Sequence, residues 1–258
     1  MKKTISLLLL ISFIAFLPII SFSWGKKGHS LTAEIAFYFC DSITKERVQN
    51  YLGDMTIEQA GSWMDEMRSD RKFDYMKPWH YVNVEKGTSY EANKDENIIN
   101  ELTKAITALQ NKDKNKLSKE DIKRNILILF HLCGDLHQPL HVGYGVDKGG
   151  NTIDVKYLTK ESNLHRVWDS EIIEGEKITI NDCLKHYTSF DKKMIEQLKV
   201  IDVENWMHEP RAQLGNVYNF KDNTIDQKYI DKNKKIIEEQ LLIGGIRLAA
   251  ILQMAFRA

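Results

Sequence analysis

The stretch "SKEDIKRNILILFHLCGDLHQPLH", from Ser118 to His141, constrains the fold more than any other. Ser118 is an N-cap candidate, followed by acidic residues in the first turn. Apolar side chains then recur at helical spacing and thicken into "ILILF". Pro139 lacks a backbone N–H and its ring clashes with the preceding turn, so the helix must end or kink near it. A helix this apolar has to be wrapped by other elements. Yet it and its exit carry three of the chain's eight histidines and an aspartate. His131 and Asp135 are four apart and share a face. His137 is six past His131, about 240° round the helix at ~100° per residue, and so off that face. His141 lies beyond the proline and can point elsewhere.

The rest of the chain supplies helices to do the wrapping. "SLTAEIAFYFC" has helical spacing after Ser30, a cap candidate, and "TIEQAGSWMDEMR" reads as a second helix. "ENIINELTKAITALQ" sets Ile98, Ile99, Leu102, Ile106 and Leu109 on one face. Further helical stretches are expected near 165–173, 182–199 and 203–219. A long C-terminal helix is expected over "KYIDKNKKIIEEQLLIGGIRLAAILQMAF". The one clear strand signal is "NTIDVKYL" at 151–158, after the Gly149-Gly150 turn. There is no internal repeat and no linker tract. The expectation is one mainly α domain, a helical bundle with a small β element.

The N-terminus speaks to location. Lys2 and Lys3 precede the apolar run "ISLLLLISFIAFLPII", and "SFS" sets small residues at Ser21 and Ser23. That is the pattern of a secretory signal spanning 1–23, cut between Ser23 and Trp24. The run is short for a membrane anchor, and no other segment is read as a span. The domain would then be 24–258, long enough for a sizeable core. Without Lys2 and Lys3, 34 basic residues face 36 acidic ones. That balance excludes a global pull on nucleic acid, so a phosphate partner would need a local site. Three cysteines leave a Cys40–Cys183 disulfide open, while Cys133 fits a buried helix position.

Other polar residues change the meaning of the His131/Asp135 pair. Alone, the pair fits a zinc-ligand geometry and equally a surface hydrogen bond. "NLHRVWD" repeats the spacing with His165 and Asp169. "WHYVNV" adds His80, "GSWMDEMR" adds Asp65, and "WGKKGH" adds His29. Trp24, Trp63, Trp79 and Trp168 stand beside these groups and can wall a buried polar site. Five histidines with several aspartates exceed one tetrahedral zinc and suit two or three ions. With no paired cysteines at finger spacing, they point to catalytic sites. There is no "HExxH", no Walker-type phosphate loop and no "GxSxG" elbow.

In order, "WGKKGH", "SWMDEMR", "WHYVN", "HLCGDLHQPLH", "GGN" and "NLHRVWD" resemble the zinc-dependent, single-strand-specific nucleases of the S1/P1 type. "IGGIRLAAIL" looks like that family's C-terminal helix. The resemblance implies the phospholipase C/nuclease fold and a cleft with three zinc ions. One zinc would take Asp65, His80, His131 and Asp135. A second would take His141, His165 and Asp169. The third would take His29, Asp135, and the amine and carbonyl of Trp24, so Asp135 would bridge two ions. Such ions can lower the pKa of bound water to about 7 and stabilise charge on a phosphate. The Trp24 amine exists only after cleavage, so the precursor would lack a complete site.

The resemblance also assigns substrate roles. Arg68, one turn after Asp65, matches a basic residue near the scissile phosphate, with Asp65 and Asp135 as the carboxylates beside the chemistry. Asn83 matches a base-contacting position, and Asn151 in "GGN" a residue near phosphate and sugar. Tyr81 offers a stacking face or a core role. His186 and His208 read as surface histidines, and the lysine-rich tracts "NKDKNK" and "DKNKK" as solvated faces. His137 fits either a supporting hydrogen bond or exposure.

The implied activity is hydrolysis of single-stranded DNA and RNA to 5′-phosphate products, with action on 3′-nucleotides. The protein would be secreted or periplasmic, monomeric, and without stable membrane association once the signal is removed. The alternatives are a zinc-dependent phospholipase C and a non-catalytic exported zinc-binding protein.

Overall fold

The computed structural model describes residues 24–257, and the expected signal and its cleavage site lie outside them. Five helices come first: α1 (Lys26–Phe39), α2 (Ser42–Leu52), α3 (Ile57–Met67), α4 (Ile98–Gln110) and α5 (Lys119–Leu136). The expected stops and starts are visible at α5. Ser118 Oγ accepts from Asp121 N at 3.0 Å, and Pro139 opens a separate 3-10 turn, Pro139–Val142. At α3, Thr56 and Gln59 close a reciprocal capping box. α1 begins a full turn before Ser30. Ser30 is therefore no cap: its hydroxyl donates back to Lys26 O at 2.9 Å inside the helix.

From Ile126 to Leu136 every residue of α5 is buried. Each Ile or Leu buried this way gains roughly 1.5–3 kcal/mol before entropy is counted. α1, α3, α4 and the C-terminal helix (Gln227–Phe256) all pack against it. That last helix, capped by Asp226, is apolar and long enough to cross a membrane by length and composition, contrary to the reading of the sequence. Here 78% of its most apolar window is buried within the protein, so it serves as a core helix.

Two apolar cores result. One gathers α2, α4, α5 and the end of the C-terminal helix, with Phe130, Leu132 and Phe256. The other gathers Trp24, Trp168, Ile172 and the helix's first half, with Ile237 and Leu241. α1 feeds both, through Ala33 and Ala36 on one side and Leu31 and Ile35 on the other.

The expected strand is shorter than 151–158. β1 (Asp154–Tyr157) pairs antiparallel with β2 (Lys160–Asn163), and Tyr157 faces Lys160. β3 (Thr224–Ile225) joins β1 in parallel. The expected 165–173 helix is a continuous run from Leu164 to Gly175 whose middle, Val167–Glu171, widens into a π-turn. The 182–199 and 203–219 stretches break into short helices, three of them started by side-chain caps from Thr179, Asp191 and Asp202.

Two connections shape the cleft. Arg71–His80 forms a 3-10 segment, after which residues 81–84 run extended. Val82 N and Val84 N donate to His141 O and Gly143 O at 2.9 and 3.1 Å. Arg211 ties the same strands by donating to the carbonyls of Val84, Val142 and Gly143. Alternation then sends Val82 and Val84 into the core and leaves Tyr81 and Asn83 exposed.

Candidate metal centre

The polar residues scattered through the sequence converge where α1, α3, α5 and the 80–83 and 139–142 segments meet. Asp135, fully buried, is the hub. One carboxylate oxygen, Oδ2, lies 2.9 Å from His80 Nδ1 and 3.3 Å from His131 Nε2. The other, Oδ1, lies 3.3 Å from His29 Nε2 and 3.8 Å from His141 Nδ1. Asp65, at the end of α3, comes within 3.8 Å of His131 Nε2. A second centre sits beside this one. His165 Nε2 is 3.0 Å from Asp169 Oδ2, and His141 Nε2 is 3.7 Å from Asp169 Oδ1.

The imidazoles are aimed by backbone carbonyls. A carbonyl can only accept, so the ring nitrogen facing it donates. His131 Nδ1 donates to Gly61 O at 2.7 Å, His141 Nδ1 to His80 O at 2.6 Å, and His165 Nδ1 to Gly149 O at 2.6 Å. Each commitment leaves Nε2 as a lone pair turned inward, the tautomer a metal requires. His165 Nε2 then faces a carboxylate oxygen across 3.0 Å, acceptor against acceptor. Asp135 Oδ1, His141 Nε2 and Asp169 Oδ2 are buried without a hydrogen bond. Uncompensated groups of this kind are costly, and a cation between them removes the cost.

The electrostatics agree. Burial would raise the Asp135 carboxyl, but the surrounding His131, His141 and His29 hold it well below the usual carboxylate range. Burial pushes His80 down to about 4 and also lowers His29. Burial opposes protonation of His141 too, yet Asp135 and Asp169 carry it up to about 9. Asp135 is thus an ionised carboxylate among imidazoles of two kinds. Burial disfavours protonation at His29 and His80, whereas at His141 and His131 the carboxylate neighbours outweigh burial and raise them, a charge that a bound cation would replace. Three groups have ligand atoms within 4.8 Å of one another: His29, His131 and Asp135; Asp65, His80 and His131; and His141, His165 and Asp169. Their nitrogen and oxygen donors fit zinc.

Trp24 is fully buried beside this centre. Gly25 N donates to Asp169 O at 2.8 Å, and a Cβ on Gly28 would stand 3.0 Å from that of Trp24. Trp168 is also fully buried, its indole bonded to Tyr229 Oη at 2.8 Å, and Trp79 is nearly so. Trp63 is only partly buried.

Above the centre opens a cleft of about 520 Å³. Arg68, Tyr81, Asn83 and Asn151 all line it, with His80, His141 and His165 at its floor. Arg68 Nη1 donates to Asp65 Oδ1 at 3.4 Å. Tyr81 is 44% exposed, which decides against a core role. Asn151 Nδ2 donates to Lys148 O at 2.8 Å, so its donor holds the loop.

One buried residue of the centre was not singled out from sequence. Gln138, fully buried, donates its amide to Asp169 Oδ1, while its oxygen accepts from Leu140 N. It links the exit of α5 to the second triad. Its signal was its place between Asp135 and His141 in a stretch with no exposed face. His137 is wholly buried: Nδ1 donates to Cys133 O at 2.6 Å and Nε2 accepts from Arg247 at 2.8 Å. Burial and the Arg247 charge push it down to about 3. It supports the helix end. His186, expected at the surface, is half-buried and meets Glu238 at 2.9 Å, whereas His208 is exposed as expected. All three cysteines are buried and unpaired as disulfides.

Residues 24–257 match the S1/P1 Nuclease family. The chain belongs to the S1/P1 nuclease family. Its relatives include Endonuclease 2 of Arabidopsis thaliana, 28% identical over 269 residues and covering 90% of each chain. Endonuclease 4 of the same plant is 29% identical, covering 90% of this chain and 89% of its own. Nuclease S1 of Aspergillus oryzae is 25% identical, covering 91% and 92%. Membership makes the chain a nuclease, a hydrolase.

Proposed function

We propose that this nuclease is a zinc-dependent endonuclease of single-stranded DNA and RNA, yielding 5′-phosphates and also acting on 3′-nucleotides. The observation that carries the reading is the hub of Asp135: one buried carboxylate shared by imidazoles from four segments, under a cleft without a lining carboxylate. The residues fit three zinc ions. Asp65, His80, His131 and Asp135 would hold one, His141, His165 and Asp169 another, and His29, Asp135 and Trp24 the third. Bound zinc supplies Lewis-acid polarisation of the phosphate and a water of lowered pKa.

The chain's own groups do the rest. Arg68 keeps N–H donors beyond its Asp65 contact, suited to a phosphate whose charge grows in the transition state. Tyr81 offers an exposed ring on which an unpaired base stacks, and Asn83 an amide for its edge. A base held in a duplex reaches neither, which accounts for single-strand preference. Asn151, its donor committed, leaves an oxygen suited to a sugar hydroxyl.

The protein is proposed to act as a secreted or periplasmic monomer after cleavage between Ser23 and Trp24, without stable membrane association. The burial of Trp24 against Gly28 and the Gly25–Asp169 bond support a mature N-terminus at the metals.

The test is metal analysis of the mature protein with cleavage of denatured DNA, duplex DNA and phosphatidylcholine side by side. Three zinc ions per chain and selective loss of denatured DNA are expected. Fewer ions at saturation, or preference for duplex or lipid, would overturn the reading. A variant that retains the Ser23–Trp24 bond should lose one ion and most turnover.

A further inference from the structure

Two cations of the cleft have no part in the roles above. Lys77 lines it from the 71–80 segment, and Lys148 from the loop after His141. No aspartate or glutamate lines the space between them. Lys148 is exposed and makes no ion pair with any described carboxylate. Lys77 Nζ meets Asp74 Oδ1 at 2.8 Å, but both side chains are about half exposed, 51% and 46%. Water screens such a pair and it yields readily to a better anion.

The loop under Lys148 is built rather than slack. Lys148 has a left-handed backbone, φ 54, as have Gly149 and Gly150 after it. For a residue with a Cβ, that conformation persists only where the surroundings impose it. Lys148 N donates to Gly145 O at 3.0 Å, and Lys148 O accepts from Asn151 Nδ2 at 2.8 Å. A Cβ on Gly149 would fall 2.4 Å from Leu140 O, so that step of the chain admits glycine alone. Gly149 O is also the acceptor that aims His165. Lys148 is thus placed one residue from the floor of the site by the turn that sets a ligand histidine.

We infer that Lys148 and Lys77 hold the phosphates on either side of the reacting one, making a polynucleotide a better substrate than a 3′-mononucleotide. The inference rests on the nuclease reading above and adds a preference within it. A mononucleotide offers a single phosphate, which the floor and Arg68 engage. A strand laid along the cleft also offers the neighbouring phosphates to the two lysines. Near-neutral net charge makes such local cations the main source of attraction for a strand.

The test uses metal-loaded enzyme with an octanucleotide of single-stranded DNA and with a 3′-mononucleotide, over a range of salt. Each phosphate contact on a single strand adds about 0.7 to the slope of log affinity against log salt. Lys148→Ala and Lys77→Ala should each flatten the octanucleotide slope by about that much. Each should raise KM more on the octanucleotide than on the mononucleotide, with kcat little altered. Lys148→Arg should restore the slope, which a merely structural lysine would not require. Slopes equal to wild type, or equal KM losses on both substrates without rescue by arginine, would overturn the inference. Failure of the wild type to turn over either substrate would instead reject the nuclease reading. Fluorescence anisotropy of the labelled octanucleotide then reads the same slopes without turnover.

Discussion

The two halves of the metal centre are built differently. The cluster around Asp135 sits on α1, α3 and α5, with His80 added by the 71–80 segment, and its precision comes mainly from close helix packing. A Cβ on Gly61 would lie 3.0 Å from His29 O, and one on Gly134 3.0 Å from His29 Nδ1. The triad of His141, His165 and Asp169 sits on a 3-10 turn and a π-turn, which are looser frames. There the precision comes from hydrogen bonds: Gly149 O to His165, His80 O to His141, and Gln138 to Asp169. Packing is hard to perturb without loss of stability. Hydrogen bonds to a ligand can be cut with the fold left standing.

The largest effect should come from the hub the two halves share. Asp135→Asn keeps shape and removes the charge toward which four histidines converge. Turnover should fall by more than the ~10–100-fold typical of residues that only support a ligand. Circular dichroism should show the helices intact. Wild-type turnover in this variant would reject Asp135 as the bridge.

Next is Gln138→Met, which keeps volume and deletes both amide contacts. Zinc affinity or turnover should drop about 10–100-fold. The Asp135 cluster should stay loaded, so a zinc titration should lose one class of site. Loss of every class together would mean that the two halves are one unit.

Gly61→Ala probes the packed half. The new methyl would press on the backbone of His29, and overpacking costs about 1–3 kcal/mol. For a domain of this size that is roughly 2–4 °C of Tm per kcal/mol. Gly61 O also orients His131, so a moderate fall in turnover should accompany the fall in Tm. Activity lost at unchanged Tm would contradict packing as the positioning force.

The same division explains what could be read from sequence. Helix-borne groups announced themselves, because i, i+4 spacing fixes a shared face before any tertiary contact forms. His131 with Asp135 and His165 with Asp169 are such pairs. The long apolar helices were legible for the same reason. His137 was not, because its partner Arg247 is 110 residues away and only the fold brings them together. Gln138 was passed over because its one signal, a place between Asp135 and His141, does not mark a hydrogen bond to a carboxylate in another segment. Ser30 misled because a serine inside a helix can bond back to the preceding turn and look like a cap. The 203–219 stretch kept helical spacing but breaks at Met207 and Gln213, which no side-chain cap marks in the sequence.

The smallest effect concerns motion. Hydrogen exchange should respond to zinc removal unevenly. Residues 119–136 lie in a helix buried along its second half, whose amides are bonded within it, so chelation should change their protection little. Residues 139–152 and 164–171 hold their form through bonds that end on ligand side chains, and they should exchange faster once the ions leave. Cys133 gives an independent check within the packed half. It lies between His131 and Asp135, is fully buried, and burial pushes its thiol up to about 12. A thiolate is the reacting form, so Cys133 should resist alkylation at pH 8 with zinc present or removed. Rapid labelling of Cys133 after chelation would show that the ions, and not the packing, hold α5 in place.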